Sequence, residues 1–200
     1  MKYIFILGNC PELAREELKS LLKFNEINFS PPVLALETDD EISFDRLGGT
    51  IKVAVEANLD ESVTTDFGIS DYTGKIDILS LSKKIKAETG KRYVLPREGK
   101  ILSSVVVKKQ KLTELIFTDA GVFKTIWVQD FENWNLRDYG RPAVEAHIGM
   151  LPPKVARQML NIAGGKTILD PFCGVGTILT EGLELGLNVI GSDIDSRQIE

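Results

Sequence analysis

The chain has 200 residues, 43% of them hydrophobic and 26% charged, with a net charge of −5: long enough for one or two domains with a sizeable core, and too acidic for a uniformly basic nucleic-acid coat. Its two cysteines, Cys10 and Cys173, form neither a disulfide framework nor a zinc spacing. No run approaches the roughly 18 apolar residues of a membrane span. The opening Met1–Gly8 lacks a small-residue cleavage site and reads as a buried strand rather than a signal peptide, so a cytoplasmic protein is expected.

In chain order, Tyr3–Gly8 predicts a strand. Pro11 suits the first turn of a helix, Glu12 favours its positive end, and Leu13, Leu18, Leu21 and Leu22 form an apolar stripe. Val33–Thr38 and Ile51–Ala57 predict strands, the latter after a Gly48-Gly49 turn, which makes a small α+β beginning. Phe67–Ser70 predicts another strand, and Ile76–Thr89 a helix closed by Gly90. Ile101–Val107, Leu115–Thr118 and Thr125–Val128 follow as strands. Residues 132–152 collect Asn, Asp, Gly and Pro and read as a linker. Pro153–Ala163 is then a helix, Thr167–Leu169 a strand, Gly176–Leu185 a helix and Asn188–Ser192 a strand. That final β-α-β unit is the signature of a parallel sheet.

Within it, Thr167-Ile168-Leu169-Asp170-Pro171-Phe172-Cys173-Gly174-Val175-Gly176-Thr177 runs from strand through a glycine turn into a helix. Ligands of open α/β sheets sit at such strand ends. A dinucleotide turn needs a glycine where Leu179 stands; a P-loop ending at Gly165-Lys166-Thr167 needs one at Leu160. S-adenosylmethionine fits better, because it carries no phosphate to demand a dense nest of amides. Asp193, about twenty residues on at the end of the next strand, is placed to accept both ribose hydroxyls. Asp195 reads as the cap of a following helix, ahead of Arg197 and Gln198. The plain alternative is a β-α-β unit whose glycines only turn the chain.

A second feature is basic. Lys83, Lys84, Lys86, Lys91, Arg92, Arg97, Lys100, Lys108, Lys109 and Lys111 lie in one stretch with only Glu88 and Glu98 as acids. It offers an RNA backbone a place to bind, with Tyr93 as a stacking candidate; a solvated helix face is the alternative. His147 reads as a junction residue, Cys173 as a small filler in the turn, and Cys10 as core or helix entry. Trp127 and Trp134 read as packing and linker anchors, and Glu181 lies either one turn inside the motif helix near the site or on the helix surface.

Asp170–Thr177 resembles motif I of class I methyltransferases that modify amino groups of nucleobases. Arg137-Asp138-Tyr139-Gly140-Arg141-Pro142 through Gly149-Met150-Leu151-Pro152-Pro153-Lys154-Val155-Ala156-Arg157 resembles the linker and first helix of THUMP-domain tRNA guanosine N2-methyltransferases, the position-10 group. Arg46–Lys52 and Phe67–Ser70 look like the N-terminal half of that family. The resemblance implies a ferredoxin-like part and a tRNA-gripping THUMP domain in residues 1–135, a linker at 136–152, and the start of a Rossmann-like catalytic domain at 153–200. It implies S-adenosylmethionine as cofactor, held by Leu151, Asp170, Pro171, Phe172, Cys173, Gly174, Gly176, Thr177 and Asp193, and tRNA or another structured RNA as partner, held by Lys83, Lys84, Lys86, Lys91, Arg92, Arg97 and Lys100. No metal or membrane is implied.

Such enzymes flip the target base out of its stack and present its exocyclic amine to the methyl donor. They also carry an Asp/Asn-Pro-Pro-Tyr/Phe motif after a later strand. None follows Asp193, so a truncated chain lacking its catalytic motif is expected, inactive by itself. Two rivals stand beside this reading. One is a DNA amino-methyltransferase with permuted motif order, whose upstream motif Ser30-Pro31-Pro32-Val33 imitates; the other is a non-enzymatic RNA-binding remnant.

Overall fold

The computed structural model describes residues 1–59, 63–140 and 150–195. They divide into two compact units. The first holds Met1–Gly8, Lys23–Asp40 and the described part of Thr50–Gln129; the second holds Asn9–Leu22, Glu41–Gly49 and the described part of Asp130–Glu200.

The first unit is built on a seven-stranded mixed sheet: β1 (Lys2–Leu7), β2 (Asn25–Ser30), β3 (Val33–Glu37), β4 (Thr50–Glu56), β5 (Phe67–Asp71), β6 (Thr113–Thr118) and β7 (Gly121–Val128). Their order is β2-β3-β1-β4-β7-β6-β5. All neighbours are antiparallel except β5 and β6, whose parallel register pairs Phe67 with Thr113 and Asp71 with Phe117. Parallel strands need a crossover, and here it carries two helices, α2 (Ile78–Thr89) and α3 (Ser104–Gln110). Side chains alternate across the sheet. Ile4, Ile6, Val33, Ala35, Ala54, Ile116 and Phe123 form one buried cluster; Phe67, Ile69, Leu115 and Phe117 form another with Ile85 of α2.

Asn25–Ser30, whose only apolar residues are Ile27 and Phe29, is a strand as well, held as the outer neighbour of β3. One strand expectation is corrected. Ile101–Val107 is no strand. Ser103 caps α3 by accepting the Val106 amide (3.3 Å), and the valines enter that short helix. Gly90 ends α2 in the left-handed conformation, as the sequence suggested.

A buried ion pair crosses the sheet. Lys52 Nζ donates to Glu114 Oε1 (2.6 Å) and to the Leu102 carbonyl (2.8 Å). Ser70 Oγ donates to Glu114 Oε1 and Thr125 Oγ1 to Oε2, so both carboxylate oxygens are engaged.

The second unit joins α1 (Pro11–Leu21), a 3-10 turn (Phe44–Arg46), α4 (Phe131–Tyr139), α5 (Pro153–Ala163), β8 (Thr167–Asp170), α6 (Thr177–Glu184) and β9 (Asn188–Gly191). Helix α4 occupies the start of the stretch read as a linker. Its apolar anchor is the buried Trp134. His147 and the rest of 141–149 lie outside the described residues, as does any helix capped by Asp195.

Helices α1 and α5 bury Ala14, Leu18, Ala156 and Leu160. Glu17 sits in the middle of that apolar face with no solvent exposure. Its carboxylate accepts the amides of Gly48 (2.8 Å) and Gly49 (2.9 Å) and the side-chain amide of Asn161 (2.7 Å). Burial pushes its proton affinity up, and these three donors only partly offset that. Asn161 and Arg46 complete the cluster: Arg46 Nε donates to Asn161 Oδ1 and Asn161 Nδ2 to the Arg46 carbonyl, both at 3.0 Å. Gly48 and Gly49 are there for close approach. A β-carbon at Gly49 would lie 2.4 Å from Ala14 Cβ, and one at Gly48 2.6 Å from the Lys154 carbonyl.

Glu114→Ala would strand the Lys52 ammonium, which is 3% exposed. Losing one partner of a buried pair costs about 3–5 kcal/mol. Urea unfolding is expected to show a lower midpoint with an unchanged slope.

Candidate functional site

Strands β8 and β9 pair in parallel, Thr167 with Asn188 through Asp170 with Gly191. The turn after β8 is closed by its own hydrogen bonds. Asp170 Oδ1 accepts the Phe172 amide (3.1 Å), the Ser192 carbonyl accepts the Cys173 amide (3.0 Å), and the Cys173 carbonyl accepts the Gly176 amide (2.8 Å). The Gly174 amide donates to Asp193 Oδ2 (2.8 Å), and the Asp195 amide to Asp193 Oδ1 (3.0 Å). Gly174 (φ +47°) and Gly176 (φ +76°) lie in the left-handed region, where glycine carries no steric penalty, and Gly176 opens α6.

The turn and Asp193 are thus one hydrogen-bonded object. The backbone donors hold the Asp193 carboxyl below the ordinary aspartate range, Asp195 first and Gly174 second. The Ile194 amide adds to the same effect. Space above Gly174 is open: nothing lies within 4 Å of where its β-carbon would be. An ionised acid beside an open glycine turn fits the ribose diol and adenosine of S-adenosylmethionine.

The other predicted residues of this site fall as follows. Phe172 is 83% exposed beside the turn. The Pro171 carbonyl accepts Ser192 Oγ (3.3 Å). Leu151 is half-buried just before α5, and Thr177 is buried as the first residue of α6. Cys173 is the filler the sequence suggested, lying against Gly191, where an added β-carbon would meet Leu179 Cδ1 at 2.4 Å and Cys173 Sγ at 3.1 Å. Sequence reading passed over Gly191; its place opposite the motif on the neighbouring strand was the available signal. Cys10 is exposed at the start of α1.

Glu181 lies one turn inside α6, and the helix-surface alternative is corrected: it is 1% exposed inside the unit. Arg137 Nη1 donates to both its oxygens (2.9 and 2.7 Å), and Arg157 donates from Nε (2.9 Å) and lies 2.7 Å away at Nη2. The Arg137 guanidinium stacks over the Trp134 ring at 3.9 Å. Neither arginine was singled out as functional. An Arg within the apolar stripe of α5 was the clue.

The basic stretch belongs to the first unit. Ser82 and Ile85 face inward from α2, which leaves Lys83, Lys84 and Lys86 exposed. Lys84 lies 3.8 Å from Glu88. Arg97 is exposed and Lys91 partly so. Arg92 Nε donates to Asp66 Oδ2 (3.0 Å), and Lys100 Nζ to the Gly74 carbonyl (2.8 Å), so these two already serve the loop. Tyr93 packs against Phe67 with ring centroids 5.4 Å apart and is only partly exposed, which removes it as a stacking platform. Ser30-Pro31-Pro32-Val33, which imitates a catalytic motif, is the hairpin between antiparallel β2 and β3 rather than the end of a strand in the β8–β9 ladder. Among the described residues, no helix is long and apolar enough to cross a membrane.

A strand, glycine turn, helix and parallel strand with an acid at its end define a Rossmann-like β-α-β unit. The crystal structure of TrmN from Thermus thermophilus shares the fold, with a TM-score of 0.51 at 13% identity, covering 100% of this chain and 67% of that one. The chain belongs to the DNA methylase family, whose model matches residues 77–200. Among curated relatives, the tRNA (guanine(10)-N2)-dimethyltransferase of Methanothermobacter thermautotrophicus is 29% identical over 223 aligned positions, covering 95% of this chain and 63% of that protein. The protein of the same name from Pyrococcus abyssi is 25% identical, covering 100% of this chain and 65% of its own length. The chain therefore spans less than two thirds of these relatives.

Because Asp193 is held below its ordinary value of 3.8, its hold on the turn is complete above that value and lost only as pH falls through the depressed one. The Gly174 amide resonance is expected to titrate in acid with a midpoint below 3.8. Asp193→Asn should abolish that step.

Proposed function

We propose that this chain is part of an S-adenosylmethionine-dependent methyltransferase that modifies N2 of a guanosine in tRNA, in the cytoplasm. The observation that carries the reading is the Asp193–Gly174 hydrogen bond, which couples the acid suited to a ribose to the turn that would face the adenosine. Asp170, Pro171, Phe172, Cys173, Gly174, Gly176 and Thr177 would line the cofactor, with Leu151 toward its methionine end. S-adenosylmethionine supplies an electrophilic methyl group on a sulfonium. The residues of this chain bind and orient: Asp193 accepts from the ribose, and the glycines let the backbone come close. The names of the two archaeal relatives favour tRNA guanosine over other amino-group substrates.

In the same reading, residues 1–135 hold a ferredoxin-like part and a THUMP domain, 136–152 are a linker, and 153–200 open the catalytic domain. The parallel β5–β6 pair with its two-helix crossover, set within an otherwise antiparallel sheet, supports a distinct module there. Lys83, Lys84, Lys86, Lys91 and Arg97 would meet the RNA backbone, with Arg92 and Lys100 shaping the loop beside them. With Tyr93 packed inward, contact there is through phosphates rather than stacked bases.

A DNA amino-methyltransferase is the second reading, favoured by the description of the matching family. Incubating the full-length protein with labelled cofactor and either unmodified tRNA or duplex DNA separates the two. N2-methylguanosine in digested tRNA supports the proposal; methylated bases in DNA alone overturn it. Asp193→Ala is expected to weaken cofactor binding about tenfold or more in calorimetry, the scale of hydrogen bonds to a charged group. Replacing Lys83, Lys84 and Lys86 together with Ala should weaken tRNA binding and reduce the slope of log affinity against log salt by about 2.

A further inference from the structure

The buried Glu181 occupies a particular place relative to the cofactor site. It lies four residues beyond Thr177, the first residue of α6, on the same helix face, and both side chains are buried. Its partner Arg157 lies four residues beyond Pro153, the first residue of α5. Leu151 stands two residues before that start, and Gly176 one residue before the start of α6. The Arg157–Glu181 pair therefore joins the opening turns of two helices, one entered from Leu151 and the other from the glycine turn. Arg137 of α4 grips both oxygens of the same carboxylate from another side, backed by the Trp134 ring.

Asp193 stands apart from this. It is fixed at the end of β9 by backbone donors from Gly174 and Asp195, with no contribution from Glu181. The two ends of the site are thus held by separate devices.

Resting on the cofactor reading above, we propose that Glu181, clamped by Arg157 and Arg137, is the positioning residue for the methionine end of S-adenosylmethionine: it sets the gap between Leu151 and the first turn of α6. It touches neither the reacting atoms nor the adenosine. A carboxylate met on both oxygens by Arg137 Nη1 and on Oε2 by Arg157 Nε and Nη2 is fixed from two helices at once, which apolar packing between the helices would do less sharply.

The test compares two ligands by calorimetry on the full-length protein: S-adenosylmethionine, and 5′-methylthioadenosine, which keeps the nucleoside and lacks the amino-acid end. Glu181→Gln keeps the volume and removes the charge. The expected result is a loss of about tenfold in S-adenosylmethionine affinity, the scale of a charge-assisted hydrogen bond, with methylthioadenosine affinity unchanged. Equal losses for both ligands, or no loss for either, would overturn the proposal, since a purely structural role cannot tell them apart. Arg137→Lys keeps the charge but loses the planar guanidinium that stacks on Trp134 and aims Nη1 at both oxygens. It should give the same pattern more mildly, and it carries the test if Glu181→Gln does not fold. Wild-type protein that binds neither ligand overturns the cofactor reading itself and this inference with it.

Discussion

The second unit depends on keeping a carboxylate charge out of water. Glu181 is 1% exposed, and removing such a group from water costs several kcal/mol unless its lone pairs are all met. Arg137 and Arg157 meet them. Because the arginines come from α4 and α5 and the acid from α6, satisfying one charge fixes three helices at once. Glu17 repeats the device one turn further along α5, where Asn161 and the Gly48 and Gly49 amides tie α1 and the segment before β4 to the same helix. Arg157 also lies close enough to Glu17 to favour its ionised form, so acids and bases alternate through the unit.

This arrangement explains why so short a β-α-β piece is well defined. Strands β8 and β9 have four residues each, and Leu169 and Ile190 are more than half exposed. Such a pair is marginal by itself. Its order comes from α6, which packs on β9 where Gly182 meets Val189, and which is in turn held by its buried acid. The glycine turn inherits its position from an ion pair a full helical turn away.

Much of this was legible in the sequence where pattern and punctuation agreed. Pro153 and Gly164 bracket α5, Gly90 ends α2, and the apolar runs of β1, β3 and β4 have strand length and bounds. The glycine turn and Asp193 were legible because their spacing follows from the geometry of a β-α-β unit. Three kinds of feature were not. Strand β2, Asn-Glu-Ile-Asn-Phe-Ser, offers an apolar alternation of only Ile27 and Phe29, and as the sheet's edge strand it is mostly exposed. The valines of α3 suggest a strand until Ser103 is recognised as a cap. The charged cluster was invisible because its members, Glu17, Arg46, Arg137, Arg157 and Glu181, are spread over 165 positions and meet only after folding.

The internal hydrogen bonding of the glycine turn bears on competition in the cell. The amides of Phe172, Cys173, Gly174 and Gly176 are all turned to acceptors within the unit, and Pro171 has none. A pyrophosphate needs outward-pointing amides, and here those four are already spent, beside a carboxyl held below the ordinary aspartate range. In the proposed cofactor reading, the bonds that shape the turn leave a pyrophosphate few of its amides to bind. A nucleoside whose tail carries a positive charge meets no such barrier.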